Sequence, residues 1–389
     1  MRVPVGNHDA RGPLSRLTTR SAYGDVRVRE AVSDAGPVGV RSGGTFGGIP
    51  TMRAYAHTVS GEWEHMPLTD SLEVLPVTPV LAGFPSLPWS GPWPASHAYV
   101  RLVTQMMGKL CLALSPSLPE WLHASLLLTP RGLTTGVLPY GDRSIEVTLD
   151  LTAGALLVLT SDGGWRTIPL SPARPIAEVW GDLTDSLHEL GVEASMWDKP
   201  QETSATTPFA ADDRARTYDR ASIAAWFAAL TAVRNLFEEW RSPFFGRTGI
   251  GFWWGAFDMS VLLFTGRHAT PRAGADFIGR YDGDAELLAI GFWPGDARHE
   301  AMFYGYIVPE PPGWARHPLN VPPARWAEKA CKWILPYEAV RTALDPKTML
   351  QAFMDSVHAA AGTLARWDLA AYRYERPPRP SPEAARHLR

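Results

Sequence analysis

The chain has 389 residues and a hydrophobic content of 45%, which is enough to bury a large core and suggests two domains or two halves. Its net charge of −3 and pI near 6.4 give no basic stripe for nucleic acid and no polybasic membrane anchor. No apolar run is long enough to span a bilayer, and the first residues do not resemble a signal peptide. We therefore expect a cytoplasmic protein that binds neither nucleic acid nor membranes.

Residues 1–80 differ in composition from the rest of the chain. They are rich in Arg, Gly, Ser and Asp, and RSGGTFGG (residues 41–48) is typical of a flexible loop. Apolar periodicity is missing, so this part lacks the apolar surface that offsets the entropy of ordering. We predict a disordered or weakly ordered extension over residues 1–80. A misassigned start codon explains the composition equally well, so the sequence does not decide whether this part is translated or functional.

The first structured half is predicted over residues 81–200 and begins with an extended Pro/Trp-rich segment, residues 84–93. Ser96 is a suitable N-cap for a helix over residues 97–110. Apolar alternation and turn residues predict the elements that follow, which are strands at 121–129, 144–151, 155–160 and 165–170, a helix at 176–190 and a short strand at 192–197.

The second half is predicted over residues 219–370, after a linker at 201–218 that is rich in Thr, Ser, Ala and Asp. At its centre lies GFWWGAFDMSVLLFTGR (residues 251–267), whose apolar run is typical of a strand covered on both faces. The other predicted elements are a helix at 221–240, strands at 286–293 and 301–308, and a helix at 346–364. Residues 371–389 form a Pro/Arg-rich tail.

Two segments of similar length indicate an internal duplication. Residues 169–198 and 336–368 each run from the end of a strand through a helix to a Trp-Asp pair. We therefore predict an α+β fold of two similar halves, each an antiparallel sheet flanked by helices, related by a pseudo-twofold seam. Because ligand clefts favour such junctions, we expect the pocket at the seam.

Familiar chemical motifs are missing from the sequence. It contains no phosphate-binding Gly loop, no GxGxxG after a strand, no HExxH, no paired CxxC and no GxSxG. Asp296, His299 and Glu300 fit a charged surface turn better than a set of metal ligands. Cys111 and Cys331 lie far apart in apolar surroundings, which favours free thiols. The sequence therefore predicts no metal site and identifies no cofactor.

The candidates for acid–base chemistry are polar side chains in apolar or aromatic surroundings. We select His123, Asp258 and Glu286 as catalytic candidates. His suits proton transfer at neutral pH, and a carboxyl among aromatic residues must find a partner or lose its charge. Each has a structural alternative: His123 as a satisfied core histidine, and the carboxylates as partners of Arg267 or Arg280.

The candidates for ligand binding are cationic and aromatic. Arginines beside turns can clamp a carboxylate or phosphate, although surface ion pairs explain them as well. The chain holds 16 Trp, and a subset around one cleft would suit a flat or cationic ligand or a sugar face, whereas core packing is the alternative. The selected substrate-binding residues are Arg131, Arg143, Trp254, Arg267, Trp293, Tyr304 and Tyr337.

Short motifs along the chain also carry a resemblance to a known family. They are MGKL (107–110), His123, TPRGLTT (129–135), PYGDR (139–143), TSDG (160–163), FWWGAFD (252–258), TGR (265–267), GFWPG (291–295), AMFYGY (301–306), PEPPG (309–313) and LPYEAVR (335–341). Together, from about residue 85 to residue 367, they resemble the bacterial family known as domain of unknown function 5996. That family has no assigned reaction, so the resemblance implies one continuous fold but little chemistry.

The departures from the family pattern bear on function. In that pattern a His precedes the FWG motif, and a His-Glu pair lies shortly before GFWPG. Here Gly251 and Ala285 stand at those places, and of the pair only Glu286 is present. The resemblance thus implies a divergent member with a changed ligand.

Three functions stay open on the sequence alone. The first is an enzyme of small-molecule metabolism, which requires the selected side chains to converge in one aromatic-lined cleft between the halves. The second is a non-catalytic small-molecule binder that uses the same cleft. The third is a structural or assembly partner that docks through residues 84–93. The substrate, the reaction type and the oligomeric state are not determined by the sequence.

Overall fold

The computed structural model describes residues 83–375, and the predicted extension (residues 1–80) and most of the predicted tail lie outside the described residues. The strands are β1 (Leu126–Thr129), β2 (Gly132–Thr134), β3 (Leu138–Tyr140), β4 (Arg143–Asp150), β5 (Ala155–Thr160), β6 (Trp165–Pro169), β7 (Gly251–Trp253), β8 (Asp258–His268), β9 (Ala285–Trp293), β10 (Met302–Val308), β11 (Arg325–Ala327) and β12 (Lys332–Pro336). The helices are α1 (Trp93–Leu114), α2 (Ile176–Glu189), α3 (Arg220–Arg241), α4 (Phe277–Tyr281), α5 (Tyr337–Arg341) and α6 (Pro346–Leu364).

All of these strands belong to one antiparallel sheet, which confirms the α+β class. The order across the sheet is β11-β12-β10-β9-β8-β7-β1-β2-β4-β5-β6, and β3 pairs with β4 at the side. At the middle, β1 and β7 pair antiparallel, with Leu126 opposite Phe252. The strands of the two predicted halves therefore lie on opposite sides of this pair and share a single sheet.

The two faces of the sheet differ in β8 to β10, where side chains alternate between them. One face, which we call the core face, carries Val261, Ile290 and Phe303, which join the main hydrophobic core with α1, α3 and α6. The opposite face, which we call the cavity face, carries a separate small apolar cluster that includes Leu262 and Ala289. Because both faces of these strands are covered, their sequences are nearly continuous apolar runs.

Helix α6 begins and ends where the sequence predicts. Asp345 caps it, since its carboxylate accepts a hydrogen bond from the Thr348 amide at 3.0 Å. Helix α1 differs, because it begins at Trp93 with a proline in its first turn. The predicted N-cap, Ser96, is inside that helix, and its hydroxyl accepts from the Asp219 amide at 2.9 Å.

The strand predicted at 121–129 is wrong in its first part, and the strand predicted at 192–197 is wrong throughout. Residues 119–124 form a 3₁₀ turn, in which Glu120 and Trp121 both have φ of 54°, so the strand begins only at Leu126. Residues 192–197 form no strand, and Val192 packs into the core instead. Apolar side chains alternate in residues 192–197 as in a strand, but neither segment pairs with a neighbouring strand.

The structure also locates the two cysteines and the predicted linker. Cys111 and Cys331 are both free thiols, but only Cys111 is buried, whereas burial was expected of both. The predicted linker, residues 201–218, packs against α1, where Lys109 Nζ donates to Gln201 Oε1 at 2.6 Å. Within the part of the chain that the structure describes, no helix has both the length and the apolar character needed to cross a membrane.

Candidate functional site

The largest concentration of selected residues lies on the cavity face of the sheet. Strand alternation places Asp258 (β8), Trp293 (β9), Tyr304 (β10) and Lys332 (β12) on this face. They line one cavity of about 770 Å³, which we call the Asp258 cavity. Its volume lies within the range of small-molecule sites, about 300–1,000 Å³.

At the wall of this cavity, Asp258 is only 7% exposed. The Tyr304 hydroxyl donates a hydrogen bond to its Oδ2, and Oδ1 has no partner among the described residues. Nearly all buried polar groups in proteins are hydrogen-bonded, so a buried carboxylate oxygen without a partner requires an explanation. Because Oδ1 has almost no accessible surface, a ligand in the cavity would meet this oxygen only after the carboxyl turns toward it.

Gly291 makes the contact between Tyr304 and Asp258 possible. It lies in β9, between Ser260 of β8 and Tyr304 of β10. A Cβ at position 291 would overlap the phenol ring and the hydroxyl of Tyr304. Only glycine therefore allows the tyrosine to lie across β9 and reach the carboxylate on the next strand.

The electrostatic surroundings of Asp258 oppose its ionisation. Burial raises the pKa of Asp258, and Lys332 and the Tyr304 hydrogen bond offset this only in part. Burial and the Asp258 charge hold the pKa of Tyr304 well above its ordinary value, so Tyr304 stays protonated as a donor. Lys332 Nζ lies 4.4 Å from the ring centroid of Tyr304 and 4.8 Å from that of Tyr306, in cation–π contact with both.

A second group of carboxyls adjoins the cavity face. Burial, followed by the charges of Asp282 and Asp284, raises the pKa of Glu120 to about 8. Burial also raises the pKa of Asp282, which Lys332 partly lowers. The Lys332 ammonium therefore lowers the pKa of both Asp258 and Asp282. Glu120 adopts the left-handed backbone of the 3₁₀ turn, a strained conformation for a non-glycine residue.

The remaining selected aromatic residues lie apart from Asp258. Tyr337 lines an adjacent cavity of about 470 Å³ together with Trp89, and its hydroxyl donates to the Pro85 carbonyl at 2.8 Å. Trp254 is buried, and its Nε1 donates to the Ala124 carbonyl at 2.8 Å. Neither lines the Asp258 cavity.

The selected arginines are in ion pairs outside the Asp258 cavity. Arg131 pairs with Asp150 at 2.6 Å, and Arg143 pairs with Asp162 at 2.8 Å. Arg267 pairs with Glu286 at 2.6 Å, as the structural alternative for that carboxylate predicted.

His123 is also separate from the cavity. Its Nδ1 accepts a hydrogen bond from the Leu118 amide at 3.1 Å, and burial lowers its pKa. Of the ten selected residues, Asp258, Trp293 and Tyr304 line the Asp258 cavity. The convergence that the enzyme hypothesis required is therefore not met by the full set, and any enzyme hypothesis must depend on Asp258 and its neighbours alone. The cavity is lined by residues 256–334, within the second predicted half, and not by the β1–β7 junction.

Sequence reasoning missed Lys332, Asp282 and Glu120. A signal for Lys332 was present, because the apolar run in KWILP (residues 332–336) is typical of a strand, and alternate side chains of a strand, such as Lys332 and Ile334, share one face. No local signal pointed to Glu120, whose burial depends on packing between the 3₁₀ turn and the segment around Asp282.

Among residues 83–375, no three His, Cys, Asp or Glu side chains are placed so that they could hold a metal ion. Comparison with known proteins gave one match: the model of a family of unknown function, DUF5996, covers residues 84–374. No curated protein and no solved structure matches the chain.

Proposed function

The chain belongs to the DUF5996 family, as its motifs indicated, and we propose that it is an enzyme of small-molecule metabolism whose active site is the Asp258 cavity. One observation carries the proposal: a buried carboxyl with an unpartnered oxygen lines a cavity large enough for a metabolite. An unpaired buried carboxylate lowers stability, so its presence fits a functional role better than a structural one.

Asp258 would act as the acid–base group. Because burial raises its pKa, the carboxylate is a stronger base than a solvent-exposed aspartate, and its neutral form is a usable acid. Tyr304 fixes the orientation of the carboxyl and stays protonated. Asp258 would accept a proton from a bound molecule, while the charge of Lys332 would hold an anionic group of the same molecule in place.

A second candidate is a non-catalytic binder that uses the same cavity. It is favoured by the placement of the other two acid–base candidates, because His123 and Glu286 contribute nothing to the cavity wall. The docking role has no such support. The segment at 84–93 packs on the protein itself, with the ring centroid of Trp89 4.7 Å from that of His97.

The finer expectations about the fold and family stay proposals. The strand order supports the duplication. On each side of the β1–β7 pair, four strands follow one another outward in chain order: β2, β4, β5 and β6 on one side, and β8, β9, β10 and β12 on the other. Gly251 pairs with Ser260, so it lies on the same face as Asp258, which supports a changed ligand in a divergent member. Bacterial origin and a cytoplasmic location stay predictions.

Incubation with pools of small metabolites tests the proposal, with consumption and product formation followed by mass spectrometry. Asp258→Asn should reduce turnover of any consumed compound by about 100-fold or more. Glu189→Gln is the matched control, since its exposed carboxylate pairs with Arg166 on the surface. A compound that copurifies unchanged and is never consumed favours the binder. Full activity in Asp258→Asn would refute the catalytic role.

A further inference from the structure

A carboxyl and an ammonium, Asp258 and Lys332, line the Asp258 cavity without forming an ion pair. Tyr304 lies between them: its hydroxyl binds Asp258, and its ring carries the ammonium of Lys332 at 4.4 Å. Among residues 83–375, no ion pair within 4.0 Å joins Lys332 to a carboxylate. Each charge therefore keeps the capacity to bind a group of opposite sign.

The other acidic side chains of the wall are occupied or solvated. Asp296 accepts hydrogen bonds from the amides of Arg298 and His299, at 2.7 and 2.8 Å, and contacts the His299 ring at 3.0 Å. Glu328 accepts from Trp326 Nε1 at 2.8 Å. Glu300 is exposed at the rim. Among the acidic side chains of the cavity wall, Asp258 is thus the buried one, and its only hydrogen-bond partner among the described residues is Tyr304.

Most cations of the cavity wall lie in the β11–β12 segment. Arg325 and Lys329 lie at the exposed rim, and Lys332 lies deeper and is half-buried. Within the described part of the chain, none of these three cations is in an ion pair. Arg298, on the loop between β9 and β10, is a further exposed cation of the rim. The buried acid of the wall therefore lies on β8, and the half-buried cation lies on β12.

We propose that the Asp258 cavity binds a zwitterion of the α-amino-acid type. The ammonium of the ligand would lie against the Asp258 carboxyl, which turns to accept its hydrogen bond, and the carboxylate of the ligand would lie against Lys332. Its apolar side chain would pack on Trp293, Met302 and Ile334, which line the same cavity. This inference rests on the proposed function and adds the substrate class to it.

Ligands with a single charge fit this wall less well. A simple amine satisfies Asp258 but is repelled by the cations of β11–β12. A simple carboxylate satisfies Lys332 but leaves the buried Asp258 without a donor and places a like charge beside it. A charge held close to an unpaired buried charge of the same sign is strongly disfavoured. Only a molecule with both groups matches both sides of the cavity.

The binding reaction should also be linked to pH. Burial raises the pKa of Asp258 against the opposing effects of Lys332, the Tyr304 hydrogen bond and Arg101 of α1, so the free protein protonates this carboxyl at a higher pH than an exposed aspartate. An ammonium beside Asp258 favours the ionised carboxylate, so binding lowers the pKa and releases a proton. The affinity for the zwitterion therefore falls as pH falls through the pKa of the free protein.

Two matched trios test the inference by calorimetry with the full-length protein. One is L-phenylalanine, phenethylamine and 3-phenylpropanoate, and the other is L-leucine, isopentylamine and 4-methylpentanoate. In at least one trio the amino acid should bind about 10-fold or more tightly than either singly charged analogue, a difference of about 1.4 kcal/mol. Proton release should accompany its binding, measured from the dependence of the heat on buffer ionisation.

Two variants assign the charges within the cavity. Asp258→Asn should weaken the amino acid and the amine but not the acid, whereas Lys332→Met should weaken the amino acid and the acid but not the amine. Lys199→Met, on an exposed lysine outside the cavity, is the matched control and should leave all affinities unchanged.

The possible failures are distinguishable. Equal or tighter binding of a singly charged analogue overturns the zwitterion inference, as does the absence of binding for both trios. If the metabolite experiment still finds a compound whose turnover depends on Asp258, the proposed function stands with another substrate class. If no such compound is found either, both proposals fail.

Discussion

The two ends of β8 hold similar chemical groups in opposite situations. At the far end, Arg267 and Glu286 form an ion pair, and Thr265 adds a hydrogen bond to the same carboxylate. At the near end, Asp258 is buried, keeps one oxygen unpartnered and has Lys332 nearby but unpaired. The side chain of Arg267 is 54% exposed, whereas Asp258 is 7% exposed. The charged groups at one end are paired with each other, whereas those at the other end are not, as the proposed function requires.

The largest effect should come from Gly291→Ala, which breaks the unsatisfied end. The added methyl group would overlap Tyr304, so the phenol must leave Asp258, and both the strain and the lost hydrogen bond lower stability. We expect a loss of about 2–4 kcal/mol in the free energy of unfolding, measured by urea denaturation. Gly249→Ala is the control, since a Cβ there meets nothing within 4 Å. Equal stability of both variants would contradict the packing described for Tyr304.

Tyr304→Phe should have the next largest effect. It keeps the ring under Lys332 but removes the donor to Asp258 Oδ2, which leaves the buried carboxyl without a hydrogen bond. We expect a loss of about 1–3 kcal/mol at neutral pH. The loss should shrink in acid, because a protonated Asp258 is less costly to bury. A loss that does not depend on pH would argue against an interaction between Tyr304 and the Asp258 carboxylate.

Asp258→Asn should have the opposite sign and raise stability at neutral pH. Burial raises the folded-state pKa of Asp258 above its unfolded value, so ionisation of the native protein lowers its stability at high pH. A gain of about 1 kcal/mol would raise Tm by roughly 2–4 °C. The gain should disappear as pH falls through the folded-state pKa toward the unfolded value. A Tm lower than that of the wild type at pH above neutrality would show that the carboxylate is stabilising.

The smallest effect should come from Glu286→Gln at the satisfied end. Burial alone would raise the pKa of Glu286, but its hydrogen bonds to Arg267 and Thr265 outweigh this and lower it. Its stabilisation is therefore present above the unfolded pKa and is lost as pH falls through the folded pKa. Because Arg267 is largely exposed, we expect a loss of at most about 1 kcal/mol, measured by thermal unfolding at low and high salt. If Glu286→Gln lowered the free energy of unfolding more than Tyr304→Phe does, the comparison between the two ends of β8 would be reversed.

The sequence predicted local structure well where periodicity and capping were clear. The α+β class, the helices at residues 176–190, 221–240 and 346–364, and the strands at 155–160, 286–293 and 301–308 follow from patterns that need no knowledge of distant residues. It also identified Asp258 as a carboxyl in a demanding setting, since its aromatic and apolar neighbours are adjacent in the chain. These properties depend on short-range interactions.

The tertiary structure decided which polar groups share a site. Arg131 and Arg143 were chosen for their place beside turns, but the pairing of β2 with β4 and of β4 with β5 brings them to Asp150 and Asp162. Strand register likewise brings Tyr304 across Gly291 to Asp258 and places Lys332 over the tyrosine rings. Alternation along a strand determines which side chains share a face, but the neighbours of that strand depend on segments far apart in sequence. For that reason the sequence alone predicted the carboxylate, and only the assembled sheet showed its partner, its unpaired oxygen and its cavity.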